Sequence, residues 1–319
     1  MTRILSPGHI GRLRSRLNLP PQRGPVLAGP VTLPALGSGQ LLEPVLVRLI
    51  EGRSGSTLLM ELLGTSPDVC FDRTYPYEHR YLTYLCRLLY PLSPSFPADP
   101  TWGQEELLHY GSTRIGPLPF TPLQVGTGLL HAQMVRHGWT AFSECLAATA
   151  QARYYAEKFW NTSTSDLAAA GIPGRCIHLV RDPRDIVASI RAFDDKRGFY
   201  GFGRQSSEDE QSYLLRLCSS MKAQLSFFAE DRHNGMQIFP LQYEELVGDL
   251  ATVADRLSDW LAVPLDAAGA KASRSRLRQH VTSASPQKSV GRWHTDLPDW
   301  QLSLIDRELG PELRELGYP

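Results

Sequence analysis

Residues 49–59 read Leu49-Ile-Glu-Gly-Arg-Ser-Gly-Ser-Thr-Leu-Leu59 and are the most informative stretch of the sequence for its architecture. The apolar run that leads into them, residues 44–50, is bounded by Pro and Gly and rich in β-branched residues, which predicts a strand buried on both faces. A helix is predicted after the turn, over residues 56–63. Small residues in such a turn let backbone N–H groups approach an anion, and the helix N-terminus adds its positive end. The stretch therefore predicts a phosphate-binding loop.

This loop fails to match the nucleoside triphosphatase pattern at an informative position. That pattern, G-x-x-x-x-G-K-[ST], places a Lys directly before the hydroxyl residue. Here Ser56 precedes Thr57, and the cation is Arg53, ahead of the turn. A P-loop kinase is therefore an alternative interpretation that the missing Lys disfavours.

A second strand and helix follow the same order further along the chain. Residues 174–181 predict another buried strand, and Pro183 opens a helix over residues 184–191. This order places Arg181 at a strand end and Ser189 within the next helix. A forked cation and a hydroxyl that converge there suit a second phosphate group. The alternative is a surface loop held by ion pairs between its own Arg and Asp side chains.

Both segments resemble sulfotransferases that use 3′-phosphoadenosine 5′-phosphosulfate (PAPS). Arg53-Ser-Gly-Ser-Thr57 is similar to the family's loop for the 5′-phosphosulfate group, and Val180-Arg-Asp-Pro-Arg-Asp-Ile-Val-Ala-Ser189 to its 3′-phosphate motif. Three weaker similarities extend the resemblance over about residues 41–310: Ala156-Glu-Lys-Phe-Trp-Asn161, Leu241-Gln-Tyr-Glu-Glu-Leu-Val247 and Ser289-Val-Gly-Arg-Trp293. The first of these is similar to the bacterial and tyrosylprotein branches.

The chain also departs from one branch of that family. Cytosolic aryl and steroid sulfotransferases carry Lys where Arg53 stands. Their C-terminal loop has R-K-G, which this chain replaces with Pro286-Gln287-Lys288. The resemblance is therefore closer to the bacterial and tyrosylprotein-type branch.

An α/β fold follows from the residues and from the resemblance alike. Strands that alternate with helices build parallel sheets, and the resemblance implies a P-loop-like three-layer domain, with a mostly parallel sheet between helices and a helical insertion. Helices are predicted near residues 79–90, 102–110, 127–152, 208–230 and 243–262, with a late strand over residues 236–241.

Three segments are expected. A Pro/Gly-rich N-terminal extension covers residues 1–43, since thirteen Pro or Gly fall in the first 44 residues. The sulfotransferase domain covers residues 44–319. Within it, residues 79–150 form a helical acceptor-side insertion, whose aromatic side chains suit a small organic or glycan acceptor, or the packing of its own helices.

The resemblance implies a reaction and a co-substrate. A sulfuryl group passes in line from PAPS to a hydroxyl or amine, leaving adenosine 3′,5′-bisphosphate, and the residues require no metal. Arg53 is expected at the 5′-phosphate and bridging oxygen, and Lys158 at the sulfuryl group. The donor-binding set is Arg53, Ser54, Gly55, Ser56, Thr57, Arg181, Ser189, Tyr243, Lys288 and Arg292.

The general base is left open among three neighbouring residues. Glu78, in Tyr75-Pro-Tyr-Glu-His79, lies about twenty residues beyond the loop, where the tyrosylprotein branch keeps its catalytic Glu, although the intervening segment is slightly longer here. His79 and Asp72 are the alternative bases. A further alternative is that the residue has no catalytic role and forms a purely structural salt bridge. Adjacent residues point in different directions, so Glu78 and His79 do not serve equally.

The amino-acid composition limits the kinds of molecule that this protein is expected to bind. The 33 Lys and Arg balance the 33 Asp and Glu, which excludes a generally basic nucleic-acid surface but not a focused basic pocket. The five cysteines form no C-x-x-C pair and are expected to be reduced core thiols.

The hydropathy pattern bears on location. No apolar run approaches the roughly 20 residues that span a bilayer, and the first residues lack a secretion signal. We therefore expect a cytoplasmic protein without a membrane span. The sequence does not determine its oligomeric state. A catalytically inactive nucleotide-binding protein is the remaining alternative.

Overall fold

The computed structural model describes residues 41–89, 127–147, 150–205, 207–274, 282–283 and 285–319. The expectations for residues 1–40 and for the helix near residues 102–110 lie outside the described residues. The 79–150 insertion is described only in part.

Five strands form the central sheet: β1 (Glu43–Leu49), β2 (Val69–Cys70), β3 (Tyr154–Lys158), β4 (Arg175–Val180) and β5 (Gln237–Gln242). All pairs are parallel, in the order β2-β3-β1-β4-β5. The expected α/β fold with a parallel sheet is confirmed.

Helices follow most strands. They are α1 (Ser56–Leu63), α2 (Tyr81–Leu89), α3 (Thr127–Ala147), α4 (Ser165–Ala169), α5 (Pro183–Arg197), α6 (Glu210–His233), α7 (Tyr243–Gly248), α8 (Leu250–Leu261), α9 (Ala267–Arg274), α10 (Trp293–Asp296) and α11 (Asp299–Glu315). One 3₁₀ turn covers Gln287–Ser289. Among the helices of the described residues, none has both the length and the apolar character needed to cross a membrane.

Strand β1 is the central strand of the sheet and is buried on both faces. Val45 and Val47 pack in the cluster that includes α1 and α8. Leu46, which points to the opposite face, packs with α2 and α3. This arrangement gives three layers and places the C-terminal end of β1 at the start of the phosphate loop.

A buried ion cluster joins β1 to α6. The guanidinium of Arg48 donates to both carboxylate oxygens of Asp231, at 2.8 and 2.7 Å. His178 on β4 places Nε2 2.9 Å from the same carboxylate. Burial favours the neutral acid, but the hydrogen bonds from Arg48 and His178 outweigh it and lower the pKa of Asp231 to about 2.

The structure corrects several predicted boundaries. The helix expected over residues 243–262 is two helices, because Asp249, at φ −140°, interrupts it and its side chain caps α8 through the N–H of Thr252. Helix α5 runs past residue 191 to Arg197 and ends at Gly198, at φ 71°. Of the five cysteines, Cys145 is exposed rather than in the core.

Candidate active site

The phosphate loop joins β1 to α1 through two residues in the left-handed region. Arg53 has φ 69° and Gly55 has φ 92°. A Cβ atom at Gly55 would lie 2.4 Å from the ring of Tyr243. Both the backbone angle and this close approach therefore require glycine at position 55.

The remaining loop contacts leave the helix start available to an anion. The hydroxyl of Ser54 is buried and donates to the carbonyl of Glu51 at 2.6 Å, which closes the turn. Ser56 and Thr57 form the first turn of α1, where an α-helix supplies no acceptor for the N–H groups. These N–H groups and the helix dipole favour negative charge at this point.

Arg53 connects the loop to α5. Its Nε donates to the hydroxyl of Ser189 at 3.2 Å, and its Nη2 to the hydroxyl of Thr282 at 3.3 Å. Its guanidinium lies over the ring of Phe193, 4.6 Å from the centroid. The two predicted phosphate motifs are therefore in direct contact.

Arg181 holds the other side of the loop. Its Nη1 donates to the carbonyl of Arg53 and its Nη2 to that of Ser289, both at 2.7 Å. The guanidinium stacks over Tyr243 at 4.3 Å, and the hydroxyl groups of Tyr243 and Ser289 lie 2.7 Å apart. Loop, strand end and 3₁₀ turn thus form one hydrogen-bonded unit.

The unit formed by the loop, the strand end and the 3₁₀ turn carries two guanidinium groups, and this positive charge favours a bound anion. Burial and the neighbouring charge of Arg181 lower the pKa of Arg53 to about 10. The Nε atom of Arg181 is buried, and no acceptor for it lies among the residues that the structure describes. Two adjacent guanidinium groups, one with an unused donor, match a bound phosphate.

Lys158 and Glu78 form an ion pair at another part of the site. The ammonium of Lys158 donates to Oε1 of Glu78 and to the carbonyl of Pro76, both at 2.7 Å. Burial lowers the pKa of Lys158, and the charge of Glu78 acts in the opposite direction. The Lys158 side chain is 5% exposed, whereas that of Glu78 is 44% exposed.

Alternation along β3 separates Lys158 from its neighbour. Glu157 points to the opposite face, where its carboxylate accepts the N–H groups of Leu82 and Thr83 at 2.8 and 2.9 Å. Glu157 therefore caps the start of α2. Of Glu157 and Lys158, Lys158 is the residue on the side of the phosphate loop.

One cavity of about 350 Å³ collects these groups, and we call it the loop cavity. Nine of the predicted site residues line it: Arg53, Gly55, Ser56, Thr57, Glu78, Lys158, Arg181, Ser189 and Tyr243. Sequence segments up to about 190 residues apart are thereby brought to one place.

Four predicted residues do not line the loop cavity. Ser54 is buried beneath the loop. His79 is exposed and directs Nδ1 to Asp72, at 2.6 Å. Lys288 is exposed. Arg292 is bonded through Nε to Asp296 at 2.6 Å.

Of the three candidate bases, Glu78 is the one that lines the loop cavity. Hydrogen bonds from Thr74 and His79 lower the pKa of Asp72 to about 2. Such a carboxylate holds a proton weakly, and this one lies outside the loop cavity.

The sequence interpretation misses several lining residues. They are Leu49, Gly52, Leu58, Glu61, Tyr75, Pro76, Phe193, Arg197, Phe202, Thr282, Ser283 and Ser289. Phe193 and Arg197 follow Ser189 at intervals of four residues, a spacing that places all three on one helix face. That spacing is the signal in the sequence that predicts them.

The family comparison agrees with the motifs. The model of the sulfotransferase family matches residues 129–267, a segment that contains Lys158, Arg181, Ser189 and Tyr243 and begins after the phosphate loop. The match confirms the resemblance of this chain to the sulfotransferase family. No curated protein matches the sequence.

Three solved structures are similar in outline. The sulfotransferase domain from the curacin biosynthetic pathway is 16% identical with a TM-score of 0.47, over 88% of this chain and 99% of that chain. The sulfotransferase domain of the Synechococcus PCC 7002 olefin synthase is 18% identical with a TM-score of 0.43, over 85% and 96%. Sulfotransferase STF9 from Mycobacterium avium is 14% identical with a TM-score of 0.45, over 88% and 78%. Similarities this distant assign no individual residues.

Proposed function

We propose that this protein transfers a sulfuryl group from PAPS to a hydroxyl or amine of a small organic or glycan acceptor. The observation that carries the proposal is the convergence of Arg53, Arg181 and Lys158 on one cavity with the phosphate loop and Ser189. Three cations and a hydroxyl suit a donor with phosphate groups at both ends of its ribose.

The donor-binding roles follow from the contacts. The first-turn N–H groups of α1 and the guanidinium of Arg53 hold the 5′-phosphate. Arg181, with its unused Nε donor, and Ser189 hold the 3′-phosphate. Tyr243, stacked on Arg181 and pressed against Gly55, borders the nucleoside. When bound, PAPS supplies a sulfuryl group joined to the 5′-phosphate through a bridging oxygen.

The transfer step requires charge compensation and removal of one proton. Glu78 accepts the proton of the acceptor hydroxyl as the acceptor oxygen bonds to sulfur. The bond from sulfur to the bridging oxygen breaks, and its electron pair remains on the 5′-phosphate. Arg53 and the loop N–H groups stabilise that charge, and Lys158 faces the sulfuryl oxygens.

Phosphoryl transfer from ATP is disfavoured by the loop itself. Ser56 occupies the position of the Lys that contacts the β- and γ-phosphates in P-loop enzymes. The second phosphate motif, with Arg181 and Ser189, has no role in binding a 5′-triphosphate. The loop cavity therefore favours a bisphosphate nucleotide over ATP.

Calorimetry with the full chain tests the proposed donor. We expect adenosine 3′,5′-bisphosphate to bind more tightly than ATP by at least about tenfold, since each charge-assisted hydrogen bond contributes about 1.5–3 kcal/mol. Arg53→Ala removes most of that affinity. Arg307→Ala, which alters an exposed ion pair with Glu308, is the matched control. Tight ATP binding without bisphosphate binding would refute the proposal.

A further inference from the structure

One face of α5 continues the loop cavity beyond Ser189. Ser189, Phe193 and Arg197 are spaced by four residues and all line the loop cavity. At 1.5 Å per residue, Arg197 lies about 12 Å along the helix from Ser189. This distance exceeds the reach of a phosphate group held by Ser189.

Phe202 completes this part of the loop cavity from the segment after α5. Its backbone has φ 50°, a conformation that is uncommon for a bulky residue and costs energy. Its ring occupies the space where a Cβ of Gly52 would lie, 2.6 Å away. It meets the ring of Phe193 edge to face, with the centroids 5.8 Å apart. An aromatic surface is thereby held directly against the phosphate loop.

Arg197 places a positive charge beside the ring of Phe193 and beside that of Phe199. Its guanidinium lies 5.0 Å from the centroid of Phe193 and 3.8 Å from that of Phe199. Arg197 forms no ion pair within the described ranges of the chain. Asp194, one turn earlier, uses Oδ1 to accept the N–H of Gly201 at 2.8 Å.

The donor's charges are already matched elsewhere in the loop cavity. In the proposed function, Arg53, Arg181 and Lys158 compensate the two phosphates and the sulfuryl group. Arg197 is then a fourth cation, next to the rings of Phe193 and Phe199 rather than to a second phosphate motif. A guanidinium beside aromatic rings recognises a carboxylate or similar anion attached to an apolar group.

We propose that Phe193, Arg197 and Phe202 form the acceptor subsite and select acceptors that carry an anionic group next to an apolar body. The inference rests on the proposed function, since it takes the remainder of the loop cavity as the donor site. Arg197 is its specificity-determining residue: it binds the anion, and the rings of Phe193 and Phe202 contact the apolar body.

A pair of probes of equal size isolates the charge. 4-Hydroxyphenylacetate and 4-hydroxyphenylacetamide present the same phenol and differ in one charge, and release of adenosine 3′,5′-bisphosphate from PAPS reports their sulfation. We expect the wild type to prefer the acid by about tenfold in kcat/KM, which equals about 1.4 kcal/mol. Arg197→Ala brings the ratio to about one, and Arg197→Lys retains part of it.

Two controls separate this inference from the proposed function. Lys196→Ala removes a charge from the neighbouring position of α5 and is expected to leave the ratio unchanged. Calorimetry with adenosine 3′,5′-bisphosphate is expected to give equal affinities for the wild type and Arg197→Ala.

The possible contrary results distinguish a failure of this inference from a failure of the proposed function. Weaker bisphosphate binding in Arg197→Ala would make Arg197 a donor residue and overturn the inference while the proposed function stands. An acid-to-amide ratio near one in the wild type, or sulfation of neither probe by a protein that binds the bisphosphate, would also overturn it. Absent bisphosphate binding in the wild type would instead refute the proposed function.

Discussion

The Nε atom of Arg53 lies 3.2 Å from the hydroxyl oxygen of Ser189, although 136 residues separate them in the chain. Arg53 belongs to the phosphate loop after β1, and Ser189 lies in the second turn of α5, after β4. Because β1 and β4 are paired in parallel, both loops leave the same edge of the sheet. This contact joins the two phosphate motifs into one site.

Ser189→Ala is expected to weaken adenosine 3′,5′-bisphosphate binding about tenfold, since one hydrogen bond to a charged group is lost. Adenosine 5′-monophosphate, which lacks the 3′-phosphate, is expected to bind wild type and variant equally. Calorimetry measures both ligands, with Ser226→Ala, an exposed serine of α6, as the control. An equal loss for both nucleotides would contradict the assignment of Ser189 to the 3′-phosphate.

Gly55→Ala is expected to lower the free energy of unfolding by about 1–3 kcal/mol, because φ 92° is strained for any other residue. The added Cβ also lies 2.4 Å from the Tyr243 ring, so donor binding is lost as the loop shifts. Gly248→Ala is the matched control, since a Cβ there meets nothing within 4 Å. Denaturant unfolding and calorimetry check both effects, and an unchanged Gly55→Ala protein would contradict the loop geometry.

Glu78→Gln is expected to lower kcat by about 10²–10⁴, the usual contribution of a general base. The amide oxygen still accepts from Lys158, so bisphosphate affinity is expected to change little. His79→Ala is the control, because His79 is exposed and bonded to Asp72. Full activity of Glu78→Gln, measured as sulfate transfer, would remove Glu78 as the base.

His178 is expected to make stability pH-dependent. Burial lowers its pKa, although the hydrogen bond to Asp231 acts in the opposite direction. The unfolded chain therefore takes up a proton near pH 6.5 that the folded chain resists, so stability falls as the pH decreases below about 6.5. The contribution reaches at most about 1.4 kcal/mol per pH unit.

Comparison of variants isolates that contribution. Denaturant unfolding between pH 8 and pH 5 is expected to give a shallower acid loss for His178→Gln than for the wild type. His79→Gln, at an exposed histidine, is expected to follow the wild type. Identical slopes for wild type and His178→Gln would contradict the lowered pKa.

The sequence predicts those parts of the site that depend on local backbone chemistry. Small residues between an apolar run and a helix define the loop at Gly55, and a proline at the first helical position marks the start of α5. These signals need no tertiary contacts. They place Arg53 in the loop after β1, Arg181 at the end of β4 and Ser189 in the helix that follows, and the parallel sheet brings these segments together.

Contacts between distant segments are less visible in the sequence. Strand β2 has two residues and no periodicity. The interruption between α7 and α8 at Asp249 falls within a continuous helical spacing of apolar residues. The sequence therefore signals it only through the preference of Asp for helix N-caps. Phe202 reaches the loop from an irregular segment at positive φ. Lys288 is exposed and Arg292 is paired with Asp296, and their predicted contact with the donor stays a prediction.

The net charge of the chain is zero, and the structure shows how its positive charges are distributed. Arg48 is paired with Asp231 in the core, so this cation is locally compensated. Within the described part of the chain, the buried Nε donor of Arg181 has no acceptor. The positive field is therefore concentrated at the phosphate loop rather than spread over a basic surface.

Transfer of labelled sulfate distinguishes an active sulfotransferase from a protein that only binds the nucleotide. Wild type, Arg53→Ala and the Arg307→Ala control are each incubated with PAPS that carries radioactive sulfur and with a panel of phenol, alcohol and amine acceptors. We expect the wild type and Arg307→Ala to pass the label to at least one acceptor, and Arg53→Ala to lose at least about 99% of that activity. Equal transfer by Arg53→Ala, or no transfer by a wild type that binds the bisphosphate, would contradict the account.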